Sequence, residues 1–245
     1  MKKPAPKEPE IAYPMRINRY LALQGHSTRR GADTLIEQKK VTINGKIAVL
    51  GDKVNKEDKI EIQNAGREKN NYVYLAYNKA PGITTTMPQP GEKAIVDLVK
   101  FRTKVFPVGR LDKESRGLII LTNDGRIIER LLSPLRNHEK EYKLIVNKPI
   151  TEQFIQRLEK GIALEDFTTK PAVVEELDEK TLTITITEGK RHQIRRMCTA
   201  CGYEVRDLER IRIMNIRLGN IKEGQYRELG GKELTLFLES IGLKK

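Results

Sequence analysis

Cysteine, histidine and long apolar runs are scarce in this chain. Cys198 and Cys201 are its two cysteines. They form a single C-x-x-C, with His192 as the one nearby histidine. A second pair is missing, so four ligands for a structural zinc are not assembled. Plain thiols in a reducing cytoplasm are the expectation. No apolar run comes near the roughly 20 residues that cross a bilayer, so no membrane association is expected. The first ten residues are rich in Lys, Pro and Glu and lack an apolar h-region, which argues against a secretory signal. There is no glycine-rich phosphate-cradling loop and no metal-spaced cluster of His, Asp and Glu. Neither a metal nor a cofactor is therefore expected.

Positive charge, by contrast, is plentiful. The 46 Lys+Arg outnumber the 33 Asp+Glu, for a net charge of +13. That excess favours a polyanionic partner, and its distribution decides whether it is more than a solubilising coat. The length, 245 residues with 38% hydrophobic, suits one ordinary domain with a small companion.

Residues 1–13 read as a disordered tail and 64–72 as a polar linker. Between them, 14–63 forms a small unit. Ile17, Tyr20 and Leu21 recur at helical spacing, with Arg16 and Arg19 on another face, and Gly25 can end the helix. Ser27 is a suitable N-cap for a second helix, whose apolar face is Ala32, Leu35 and Ile36. Arg29 and Arg30 fall in its first turn. Cations there oppose the helix dipole by roughly 0.3–1 kcal/mol each, which makes sense if an anion docks. Val41 to Ala48 is a hairpin about Asn44-Gly45, and Lys59 to Ile62 supplies a further strand.

Residues 73–245 read as the main domain. Its centre is Gly109-Arg110-Leu111-Asp112-Lys113-Glu114-Ser115-Arg116-Gly117, followed by the buried-strand run Leu118 to Thr122 and the turn Asn123-Asp124-Gly125. Asp112 would thus sit on a loop entering a rigid strand. From these residues alone it is either a loop-capping carboxylate or a catalytic one. Tyr142, before the strand run Lys143 to Val146, is either a core aromatic or a site residue. Thr151 and Gly161 bound a helix, and Leu182 to Thr187 alternates as a half-buried strand. Ile194, Met197, Cys198 and Cys201 share a helical face. Residues 190–217 hold eight Lys+Arg against three Asp+Glu. Arg206, Arg210 and Arg212 alternate with apolar residues, which puts charge on one strand face: a solvated face or a nucleic-acid groove.

These motifs resemble the pseudouridine synthases of the RsuA/RluB/RluF branch. The central motif, Lys140-Glu141-Tyr142 and Gln193-Ile194-Arg195-Arg196-Met197 carry the likeness. Residues 14–63, with Ser27 to Arg30, Val41 to Lys46 and Gly51-Asp52, resemble an S4 RNA-binding domain. The resemblance implies an α+β fold, with a small S4 domain joined to a mostly antiparallel mixed sheet flanked by helices. It implies Asp112 as the catalytic carboxylate, Arg195 as its guanidinium partner, Arg110 on the RNA backbone and helping to keep the base out of the stack, and Tyr142 stacked on the target uracil. Ile194 would wall the pocket. RNA phosphates would be held by Arg16, Arg19, Arg29, Arg30 and Lys46, and by Arg191, Arg196, Arg210 and Arg212. The stretches 138–142, 208–215 and 224–229 resemble the RluF type, which implies a uridine of large-subunit (23S) ribosomal RNA. A small-subunit or transfer RNA target stays open. The implied enzyme is a monomer without a small-molecule cofactor. A non-catalytic RNA-binding or ribosome-assembly protein is the alternative. It accounts for the charge but not for the three motif residues. A DNA-binding regulator lacks a recognition helix.

Overall fold

The computed structural model describes residues 12–24, 26–63, 71–133 and 136–243. The expected tail and linker fall largely outside the described residues, and Gly25 does so entirely.

The N-terminal unit runs β1 (Met15–Arg16), α1 (Ile17–Leu23), α2 (Arg29–Glu37), β2 (Val41–Ile43), β3 (Lys46–Ile47), β4 (Lys53–Val54) and β5 (Ile60–Ile62). Asn44 and Gly45 both take positive φ (51° and 79°), the geometry a two-residue hairpin turn needs. Thr28, not Ser27, caps α2. Its hydroxyl accepts from Gly31 N–H at 2.9 Å, one residue later than the sequence suggested. Ile17, Leu21, Ala32, Ile36, Val41 and Val54 close a small core between the helices and the strands.

The larger unit runs β6 (Tyr74–Lys79), α3 (Ile95–Leu98), β7 (Phe106–Val108), β8 (Arg116–Thr122), α4 (Arg126–Leu132), β9 (Lys140–Val146) and α5 (Glu152–Lys160). It continues with β10 (Val173–Asp178), β11 (Thr181–Ile186), α6 (Gln193–Ala200), β12 (Val205–Ile213), β13 (Ile216–Arg217), β14 (Tyr226–Glu228) and α7 (Gly231–Ser240). One sheet has the order β10-β11-β9-β12-β8-β6-β14, with β13 on β12 and β7 on β8. Among the named strands of the described residues, only β12 and β8 pair in parallel. This is the mostly antiparallel mixed sheet with flanking helices that the resemblance implied.

Successive side chains point to opposite faces, so β6 and β8 feed two cores. Leu75, Tyr77, Ile119 and Leu121 join Phe154 and Leu158 of α5 and Met197 and Cys198 of α6. Tyr74, Ala76, Leu118 and Ile120 join Ile127 and Leu131 of α4 and Phe237 and Leu238 of α7. Burial on both faces explains why Leu118–Thr122 is continuously apolar. Thr151 caps α5, and Gly161 (φ 89°) follows its last turn, as the sequence suggested.

The two units meet on α4. Arg130 Nη2 donates to Leu23 O at the end of α1 (2.7 Å), and Nη1 donates to Gly242 O after α7 (2.6 Å). No helix among the described residues is long and apolar enough to cross a membrane.

Backbone approaches backbone closely where β8 meets β12. Gly117 pairs with Arg210 at φ 103°, and a Cβ there would lie 2.7 Å from Arg210 N and closer still to Arg210 O. Gly117→Ala is expected to destabilise the fold by about 2–3 kcal/mol, because backbone cannot yield as a flexible side chain would. Urea unfolding of the two proteins measures this; equal midpoints would contradict it.

Candidate active site

Asp112 lies on the loop between β7 and β8. Gly109 (φ 82°) starts the turn, and Ser115 N–H donates to Asp112 O at 3.0 Å to close it. Two side chains outside the loop fix its path. Thr85 Oγ1 donates to Leu111 O (2.7 Å) and accepts from Leu111 N–H (3.0 Å). Lys79 is fully buried, and its Nζ donates to Ala80 O (2.8 Å), Ile83 O (2.7 Å) and Lys113 O (3.1 Å). Burial pushes the Lys79 ammonium down to about 8; Glu114 and Asp112 oppose that shift.

The loop forms one wall of a cleft of about 910 Å³. Arg110, Asp112, Tyr142, Arg191, Ile194 and Arg210 all line it, as do His192, Lys113, Lys140 and Lys190. Six stretches of the chain (84–86, 107–115, 128–133, 140–142, 186–194 and 208–213) therefore converge on one concavity. Its other acid, Glu188, is occupied: Oε1 accepts from Lys170 N–H (2.9 Å) and Gln193 Nε2 (2.6 Å). Asp112 is a third exposed at its side chain, and His192 stands beside it, with Nε2 3.4 Å from Oδ1. His192 stands just before α6 with φ 50°.

Arg195 is placed differently from the pairing the resemblance implied. Its Nη1 donates to Val205 O (3.2 Å) and its Nη2 to Ser115 Oγ (3.5 Å). In the first turn of α6 it spans from the start of β12 to the end of the Asp112 loop. It braces the loop at Ser115, while His192 faces the carboxylate itself.

Arg210 also departs from expectation. It shares a face of β12 with Leu208, and both are buried. Its Nε donates to Leu118 O (2.6 Å) and its Nη1 to the Tyr142 hydroxyl (3.4 Å). Nη2 has no acceptor among the described residues. Arg210 is thus a floor residue of the cleft, set under Tyr142, and not part of a solvated basic face. The pairing register of β12 shifts between Arg210 and Arg212, which breaks the simple alternation read from the sequence. Arg212 is neutralised by Glu139 and Glu141, and Arg196 pairs with Asp166; neither lines the cleft. Arg16, Arg19, Arg29, Arg30 and Lys46 are exposed on the N-terminal unit, away from the cleft lining. Cys198 is buried, and that burial pushes its thiol up to about 12, which disfavours the thiolate that metal binding or redox chemistry needs.

Sequence reasoning missed His192 as the neighbour of Asp112, and Thr85 and Lys79 as its supports. The one local signal was a lysine ending a strand, Lys79, shortly after the run Tyr74–Tyr77.

A part-exposed carboxylate in a cation-lined cleft, with a tyrosine on its floor, suits chemistry on a flat, electron-rich group carried by a polyanion. The chain belongs to the RNA pseudouridylate synthase family, whose model matches residues 73–200. A model of the S4 domain matches residues 15–60. The chain is therefore an isomerase that acts on uridine in RNA. It is 42% identical over 223 residues to the dual-specificity RNA pseudouridine synthase RluF of Escherichia coli (strain K12), covering 90% of this chain and 77% of that protein. It is 35% identical to the ribosomal large subunit pseudouridine synthase B of Bacillus subtilis, covering 89% and 93% respectively. A solved pseudouridylate synthase crystal structure, 31% identical, superposes with a TM-score of 0.67 and covers 93% of this chain and 99% of that one.

Lys140 generates a pH prediction. Burial first, then the Arg210 charge, pushes its ammonium down to about 8 from 10.5. Between those values the unfolded chain holds a proton that the folded chain has released, so this lysine adds stability as pH rises. Wild type is expected to gain on Lys140→Met from pH 8 to 10.5. Comparison with the variant cancels Cys198, which titrates in the opposite sense. A pH-independent difference in unfolding free energy would contradict the assignment.

Proposed function

We propose that the chain converts one uridine of large-subunit (23S) ribosomal RNA to pseudouridine, with Asp112 as the catalytic carboxylate. The observation that carries the site is Asp112, a part-exposed carboxylate in a cleft that Arg110, Lys113, Lys140, Lys190, Arg191 and Arg210 also line. The choice of RNA rests on the likeness to the RluF type and to the Bacillus subtilis large-subunit enzyme.

The reaction breaks the uracil N1–C1′ bond, turns the base, and joins C5 to C1′. The proton leaves C5 and N1 gains one, so atoms balance without redox change, metal or cofactor. Glycosidases need two carboxyl groups because one must handle water. An isomerase needs no attacking water, so one aspartate serves as nucleophile or base. The cations of the cleft hold the freed base, which leaves as an anion.

Tyr142 stacks on the flipped uracil, a contact worth roughly 1–3 kcal/mol. Arg210 orients that ring through its hydroxyl. Ile194 closes the pocket side, and Arg110 and Arg191 meet the RNA backbone at the rim. Arg195 steadies Asp112 through Ser115. The exposed Arg16, Arg19, Arg29, Arg30 and Lys46 contact phosphates and set register without reading bases. Residues 14–63 and 73–245 act as the gripping and catalytic domains of a monomer in the cytoplasm.

Asp112→Asn is expected to abolish isomerisation while RNA affinity stays within about twofold, since the basic surface is untouched. Pseudouridine mapping of ribosomal RNA from cells with and without the gene should show one large-subunit site lost, and not restored by the Asn variant. Retained turnover by that variant would overturn the catalytic assignment. An unchanged large-subunit map would overturn the target.

A further inference from the structure

Lys140 lines the cleft beside Tyr142, and no ion pair among the described residues uses its charge. The two residues flank Glu141 on β9, so their side chains leave the same sheet face, roughly 6–7 Å apart along the strand. Lys140 Nζ donates to His138 O at 3.2 Å. The acids on either side of it in sequence, Glu139 and Glu141, are both held by Arg212. Lys79 is the contrast: its donors go to three backbone carbonyls. Lys140 keeps its remaining donors, or a lone pair once deprotonated, for whatever enters the cleft. Burial and the Arg210 charge bring its ammonium down to about 8, so a usable fraction is amine at neutral pH.

The charged groups that share the cleft with it come from three places. Arg210 belongs to β12. Arg110, Asp112 and Lys113 belong to the loop before β8, and Glu188, Lys190, Arg191 and His192 precede α6. The parts of α4 and β11 that line the cleft are uncharged. Glu188 is occupied by its hydrogen bonds, and Lys113 is tied to Glu92, which pushes its ammonium up. Arginines do not release a proton.

The last step of the isomerisation needs a proton carrier. Once C5 has joined C1′, C5 holds both the sugar and a hydrogen, and N1 is doubly bonded to C6. The ring recovers its C5=C6 bond only when C5 loses that proton and N1 gains one. Both atoms adjoin C6, so they share one edge of the ring and lie within reach of a single side chain.

We propose that Lys140 is the catalytic group of that step: its amine takes the proton from C5, and the ammonium so formed returns one to N1. The C5–H electrons become the C5=C6 bond, and the C6=N1 pair moves onto N1, which the lysine proton then neutralises. The lysine ends as the amine it began as, and no other reactant is consumed. This rests on the reading of Asp112 given above and adds to it the carrier of the proton.

The test is single-turnover pseudouridine formation by the full chain on an RNA carrying the mapped uridine, with hydrogen or deuterium at its C5. Lys140→Met is expected to form product roughly 100-fold or more slowly than wild type. Deuterium should slow that variant further, because breaking the C5–H bond has become limiting. Methylamine added to Lys140→Ala should restore part of the rate, and more of it as pH rises and the amine deprotonates. A side chain that merely holds the fold is not replaced in this way. Turnover by Lys140→Met within about threefold of wild type would overturn the proposal. So would a loss without the deuterium effect, or one that methylamine does not relieve. Wild type that forms no pseudouridine would instead overturn the reading of the site, so the two failures are distinguishable.

Discussion

Lys79 has three ammonium donors and, with no solvent contact, gives them to three backbone carbonyls. A buried cation is tolerated only when its donors are satisfied, so the carbonyls of residues 80, 83 and 113 must converge on one point. That convergence brings the turn after β6 against the Asp112 loop. Thr85 then repeats the attachment at Leu111, on the other side of the aspartate. The carboxylate is therefore held from two flanks by groups that contact no substrate. Such support keeps a reacting group within tenths of an ångström of its working position.

The electrostatics follow from this frame. Tyr142 and Arg210 come from the paired strands β9 and β12, and Arg210 lies against β8 at Gly117. The absence of a side chain at Gly117 lets β12 approach, which seats the guanidinium under the tyrosine. Arg195 and His192 come from one short stretch at the start of α6 but do different things. The arginine reaches back to the loop's end, and the histidine stands over its carboxylate. Cations beneath, beside and at the rim suit an anionic base inside and phosphates outside.

Periodic and local features were legible. The alternation of Leu182 to Thr187, the Asn44-Gly45 turn, the Thr151 cap and the helical face of Ile194, Met197 and Cys198 each follow from short-range geometry. The motif around Asp112 was legible as a loop entering a buried strand. Arg210 was misread because a register shift in β12 breaks the two-residue period, and bulges leave no compositional mark. Lys79 and Thr85 were missed because their partners are carbonyls and amides, which any residue supplies. The pairing of His192 with Asp112 joins residues 80 apart and depends on how α6 docks. No local rule encodes that.

The most direct measurement is a crystal structure of the chain with an RNA whose target nucleotide carries an uncleavable base–sugar bond. The account predicts the base out of its stack and flat against Tyr142, with the Asp112 carboxylate about 3–3.5 Å from the reacting atoms. A base left stacked in the RNA, or one bound with Asp112 turned away from it, would contradict it.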